Sequence, residues 1–251
     1  MSYGLYLSAA GANAQTHRLE VLSHNLANVN TTGFKSQLAM MQSEHAEAIK
    51  QGDVMPGGGG VDDIGGGIDI RPTTTTFQQG AVKQTGNQTD FAITSTEGFF
   101  AVQRGDQQLL TRAGNFLFDA SGTLVTPNGD QVLSTAGGRI SIDPSRPYQM
   151  MDNGGVVQDG NRQAIGLVQP QSTGDLSRVG DNLFESLTPV TPVPENQRNL
   201  ISGALEMSAV EPTQAMMELI EASRVYEANI RLIQTQDEAM GQLIGRVLRQ
   251  S

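Results

Sequence analysis

Residues 213–249 read TQAMMELIEASRVYEANIRLIQTQDEAMGQLIGRVLR, and their spacing decides how the rest of the chain is organised. Met216, Leu219, Ser223, Tyr226, Ile230, Ile233, Asp237, Met240, Ile244 and Val247 follow one another in steps of three and four, the pattern of a heptad seam. Neither Pro nor a run of Gly interrupts them, so the segment predicts one continuous helix about 55 Å long. The flanking positions are mostly uncharged, with Ile220, Ala222, Asn229, Gln234, Gln236, Leu243 and Leu248 among them. The ion pairs that select the partner in a two-stranded coiled coil are therefore nearly absent. A second stripe, Val225, Ala228, Leu232 and Ala239, runs beside the first. The helix is thus expected to be buried on more than one side, among several helices.

A helix of that length needs a partner, and the other end of the chain offers one. Leu5, Ala12, Leu19 and Leu26 recur every seven residues, with Leu22 near the complementary positions. Gly4 and Gly11 each weaken this first helix by roughly 1 kcal/mol relative to Ala, so it is expected to fold by docking on the last one. It should stop at Asn28-Val29-Asn30-Thr31-Thr32-Gly33-Phe34-Lys35, where Asn and Thr can cap and Gly33 can take a positive φ. Ser36 to Gln51 fits a short helix or an extended chain equally well. Residues 52–67, with Gly57 to Gly60 and Gly65 to Gly67, read as a connector. A phosphate-binding loop would need Gly-Lys-Ser/Thr between a strand and a helix, and an EF-hand would need spaced acids; neither pattern is here.

From Ile68 the period changes to two. Short alternating or apolar runs, such as Phe91-Ala92-Ile93, Phe99 to Val102, Leu109 to Thr111 and Thr123 to Val125, are separated by turn sequences. Asn128-Gly129 is the strongest hairpin signal among them. The fold class is therefore α+β: an antiparallel β-rich domain inserted between long terminal helices that pair as one discontinuous, coiled-coil-like domain. The expected divisions are an N-terminal helix over 1–34, an extended or partly helical connector over 35–70, the β-rich domain over 71–200, and a return strand with the C-terminal helix over 201–251.

Composition narrows the function by exclusion. A net charge of -10 leaves no electrostatic footprint for nucleic acid or an anionic membrane surface, and no apolar run is long enough for membrane insertion as a helix. With no Cys, thiol chemistry and zinc-thiolate sites are ruled out. Residues 1–16 carry no charged side chain, so the basic start of a secretory signal is missing and export by another route is expected. His17 and His24 lie about 10 Å apart along the first helix, a separation that favours solvated or interface histidines over a shared metal. No nucleophile elbow, zinc-protease motif or dinucleotide fingerprint occurs. No catalytic residue, cofactor or metal site is expected.

One family carries these features in order. Leu22-Ser23-His24-Asn25-Leu26-Ala27-Asn28-Val29-Asn30-Thr31-Thr32-Gly33-Phe34-Lys35 closely resembles the N-terminal signature of the bacterial flagellar rod and hook proteins. The resemblance continues through Phe77-Gln78-Gln79-Gly80, Thr111-Arg112-Ala113-Gly114-Asn115-Phe116, Gly180-Asp181-Asn182-Leu183-Phe184 and Gly203-Ala204-Leu205-Glu206-Met207-Ser208. It ends in Met217 to Asn229 and Ile233 to Glu238, so it covers most of the chain.

The resemblance implies a non-enzymatic subunit of the flagellar basal body. Its paired terminal helices would form the inner tube of a hollow helical assembly that transmits torque, and the β domain would lie outside. It implies self-polymerisation, other rod and hook proteins as neighbours, delivery through the flagellar type III export apparatus, and a place in the rod that spans the periplasm. The implied interface runs through Leu5, Ala12, Leu19, Leu22 and Leu26 and through Met216, Leu219, Tyr226, Ile230, Ile233, Met240, Ile244 and Val247. Asn28, Asn30, Thr31, Thr32, Gly33 and Phe34 form the family-motif turn. Chain length resembles the rod proteins, since hook proteins usually have a larger middle domain; residues 79–100 resemble the distal rod, whereas Ala239 to Leu248 departs toward the proximal rod. A competing reading from another class is a soluble ligand-binding β module that its helices dimerise.

Overall fold

The computed structural model describes residues 3–44, 65–194 and 197–250, with side chains over 4–43, 65–194 and 197–246. The chain divides into two compact units. One comprises 1–27, 37–75 and 211–251, and the other 28–36 and 76–210. The chain therefore crosses between them at Ala27/Asn28, Ser36/Gln37, Thr75/Thr76 and Val210/Glu211.

The helical unit contains α1, Tyr3–Ala27, and α2, Pro212–Gln250. Pro212 opens α2 at a position where its missing N–H costs nothing, and the long run of good helix formers after it carries the helix for 39 residues. The region that fitted helix or extended chain equally is a strand, Gln37–Glu44, paired antiparallel with Gly67–Thr75 from Gln37↔Thr75 to Glu44↔Gly67. Residues 35–70 are thus more than a connector. Most of the glycine-rich stretch between the two strands lies outside the described residues. The buried side chain of Asn25 fastens α1 to the first strand. Its Nδ2 donates to Gln37 O at 2.7 Å and its Oδ1 accepts from Gln37 N at 2.9 Å, satisfying both backbone groups of one residue.

The β unit is antiparallel throughout its named pairings. Its main sheet has nine strands, in which Phe99–Arg104 pairs with Gln107–Thr111, Gln131–Val132 and Leu167–Gln169. The Asn128-Gly129 signal is met: Gly129, at φ 89°, lies in the turn between Leu124–Val125 and Gln131–Val132. Phe91, Phe100, Val102, Leu109, Leu124, Ile140 and Ile165 form the main core. On the opposite face of the sheet Phe99 and Phe184 pack with Phe77, at ring centroid distances of 5.2 to 6.2 Å. The return leg closes this unit: Leu200–Ser202 pairs with Phe91–Ile93, and Ala204–Glu206 pairs with Val82–Gln84.

Candidate assembly surfaces and a buried clasp

In the helical unit, α2 turns one side inward and leaves others bare. Ala215 and Ala222 are buried, and Leu219, Tyr226, Asn229, Ile233 and Gln236 are half-buried, spaced by fours and threes. Leu219, Tyr226 and Ile233 thus sit on the inward side as the spacing suggests. Asn229 and Gln236 occupy the layers at which the apolar pattern pointed to Ile230 and Asp237. Ile230 is half-buried beside Asn229, whereas Met216, Met240 and Ile244 are exposed; the side chain of Val247 lies outside the described residues. On α1, Ala12 and Leu22 are buried and Leu5, Leu19 and Leu26 half-buried.

Met217 at 60%, Leu243 at 58%, Ile244 at 56%, Ile220 at 52% and Leu232 at 51% exposure spread apolar surface along α2. Leu38 and Met40, on the strand that packs against α1, are exposed as well. Fully burying each such side chain is worth about 1.5–3 kcal/mol, so this surface favours a further partner for the helical unit.

In the β unit, the turn after α1 is held by side chains from distant parts of the sequence. Asn28 O accepts from Thr31 N and Asn28 Oδ1 from Thr31 Oγ1, both at 3.1 Å. Asn182 Nδ2 donates to Thr32 O at 2.8 Å, and the guanidinium of Arg178 lies 4.5 Å from the centroid of the buried Phe34 ring. Asn30 is exposed. Gly33 takes φ 64°, and its N–H donates to Glu206 O at 2.7 Å. A Cβ there would stand 2.5 Å from the backbone carbon of Arg112, so any side chain would part the two segments.

Beneath this turn lies a cluster of three charged side chains. Lys35 Nζ is 2.6 Å from Glu206 Oε1 and also donates to Gln78 O at 2.7 Å. Glu206 Oε1 further accepts from Gly80 N at 3.0 Å, while Arg112 Nη1 stands 3.6 Å from Glu206 Oε2. Arg112 donates to Ser95 O at 2.7 Å and to Thr96 O, and its guanidinium lies 4.7 Å from the centroid of the Phe99 ring. None of the three side chains is more than 1% exposed. Burial holds the Lys35 ammonium below its ordinary value; the Glu206 carboxylate opposes that shift and Arg112 adds to it. Burial likewise lowers Arg112 against the opposing pull of Glu206. Two cations therefore share one carboxylate, and the arrangement clasps the motif turn, the central sheet and the return strand together. The sequence reading gave these charges no role. The available signal was three charges embedded in turn motifs where solvent-facing polarity would have sufficed.

The family described as flagella basal body rod protein matches residues 5–35, that of the flagellar hook protein FlgE/F/G D1 domain matches 92–161, and that of the flagellar basal body rod FlgEFG protein C-terminal matches 201–246. Each segment contributes one member of the clasp: Lys35, Arg112 and Glu206. A flagellar basal-body rod protein FlgG of Bacillus subtilis is 34% identical over 97% of this chain and 98% of its own length.

The chain belongs to the flagellar basal-body rod family.

A rod protein FlgF of Caulobacter vibrioides is 32% identical over 98% of both chains. A hook protein FlgE of Helicobacter mustelae is 40% identical over 51% of this chain but only 30% of its own. Full-length similarity thus lies with rod proteins. As a member of this family the chain is a structural subunit of the rod, not an enzyme, and it assembles with other rod and hook components.

Proposed function

We propose that this subunit polymerises with copies of itself through its helical unit, building part of the hollow shaft that transmits torque across the periplasm. The observation that carries the proposal is the exposed apolar surface of α2, a helix that already buries another side within its own chain. The uncharged first sixteen residues and the weak intrinsic stability of α1 suit passage of an unfolded chain through the type III export apparatus. Leu232→Asp or Leu243→Asp tests the surface. Each places a carboxylate where neighbouring helices would bury it unpaired, at a cost of about several kcal/mol. The variant should be secreted with a folded β unit and be missing from purified basal bodies. Normal incorporation and swimming would remove this surface from the assembly.

Within the rod, residues 79–100 carry the distal reading. A second reading, the proximal rod, rests on the resemblance of Ala239 to Leu248 and on alignment length. The FlgF alignment spans 249 positions, close to this chain's 251, whereas the Bacillus FlgG alignment spans 263 and so holds positions that this chain lacks. The length of the rod stub left when the gene is deleted distinguishes the two.

A further inference from the structure

Gly4 and Gly11 of α1 are seven residues apart, and so are Asn229 and Gln236 of α2. A Cβ built on Gly4 would stand 3.0 Å from Gln236 Nε2, and one on Gly11 would stand 3.2 Å from Asn229 Nδ2. Each glycine is therefore a notch filled by an amide side chain from the antiparallel helix. Neither notch needs glycine for its backbone, since both lie within α1 and neither has a positive φ. Each costs the helix roughly 1 kcal/mol against Ala, so it is space that the glycines supply.

We infer that these two glycine–amide layers are the residues that set the register of the terminal helix pair. The other layers of α1, at Leu5, Ala12, Leu19 and Leu26, repeat every seven residues and are all apolar. Sliding α2 by one heptad would only exchange one apolar neighbour for another. The notches do not tolerate that slide. In one direction Asn229 reaches Gly4, but Gln236 runs past the start of α1. In the other Gln236 reaches Gly11, but Asn229 meets Arg18 and Leu243 meets Gly4. Only one alignment seats both amides. Gln236 Oε1 is shielded from solvent with no hydrogen-bond partner, so the layers weaken the seam while fixing its alignment, as single polar seam residues do in coiled coils. The inference concerns pairing within one chain, so its failure would leave the rod assignment standing.

The chain has no Cys, so two spin labels can be placed cleanly in the full-length protein by Ser23→Cys and Glu238→Cys, both at exposed positions. Extending the pairing of 4 with 236 and 11 with 229 puts residue 23 opposite 217, about 30 Å along the axis from 238, and a one-heptad slip changes that offset by about 10 Å. Pulsed dipolar spectroscopy should give a single distance in the parent. Gly11→Leu should displace that peak by about 10 Å or abolish it, and adding Asn229→Ala, which moves the notch to the other helix, should restore it. An unchanged single distance in Gly11→Leu overturns the inference. So does failure of Asn229→Ala to restore the peak, or a parent distribution that is featureless or split at heptad intervals.

Discussion

Replacing Glu206 by Gln preserves its shape and removes the carboxylate that contacts two buried cations. In the parent, Lys35 is 2.6 Å from Glu206 Oε1 and Arg112 is 3.6 Å from Oε2, and all three side chains are sealed from solvent. Arg112 keeps its bonds to Ser95 O and Thr96 O, and Lys35 keeps Gln78 O, but neither carbonyl neutralises charge. Breaking a buried ion pair by removing one partner costs about 3–5 kcal/mol, against about 0.5–1.5 kcal/mol for loss of an ordinary neutral hydrogen bond. With a urea dependence of about 1–3 kcal/mol per M, that range lowers the unfolding midpoint of the β unit by at least about 1 M. The assay is urea unfolding followed by far-UV circular dichroism, with backbone hydrogen exchange at Val102 and Leu110 assigning the change to the β unit. A Glu206→Gln midpoint within about 0.3 M of the parent, at an unchanged slope, would refute the reasoning that the clasp holds this unit.

Three further outcomes follow from the same structure. Lys35 is held below its ordinary pKa of 10.5, so between its folded and unfolded values the unfolded chain binds more protons. This group's contribution to stability must therefore rise as pH rises through that window, a trend that pH-dependent urea midpoints should show in the parent and lose in Lys35→Met. Gly33→Ala forces an L-residue to φ 64° with its Cβ 2.5 Å from backbone of Arg112; thermal unfolding should show a loss of at least about 1–2 kcal/mol, and a melt like the parent's would contradict the close approach. Asn25→Ala strips both backbone groups of Gln37 of their partners, so the amide of Gln37 should lose exchange protection while that of Val102 keeps it.

How far the sequence could be read depended on the range of the interactions. The course of α2 was legible because its three-and-four spacing persists without interruption and needs no knowledge of other segments. Its phase against α1 was not, because the inward layers include Asn229 and Gln236, which heptad counting passes over in favour of Ile230 and Asp237. Those amides are intelligible only once Gly11 and Gly4 stand opposite them. The strand at Gln37–Glu44 escaped a firm reading because Leu38 and Met40 are exposed, leaving no alternation of buried and polar residues to mark it. The clasp was least legible: Lys35 and Glu206 are 171 residues apart, and no local pattern links them. The motif turn was legible from its Asn, Thr and Gly residues, but the second constraint on Gly33, the backbone of Arg112 against it, belongs to a distant segment.

The most direct test of the account is electron microscopy of basal bodies purified from a strain lacking this gene. A rod subunit predicts structures that end within the rod, a short stub marking a proximal position and a longer one a distal position. Complete rods carrying hooks, in cells that swim normally, would contradict it.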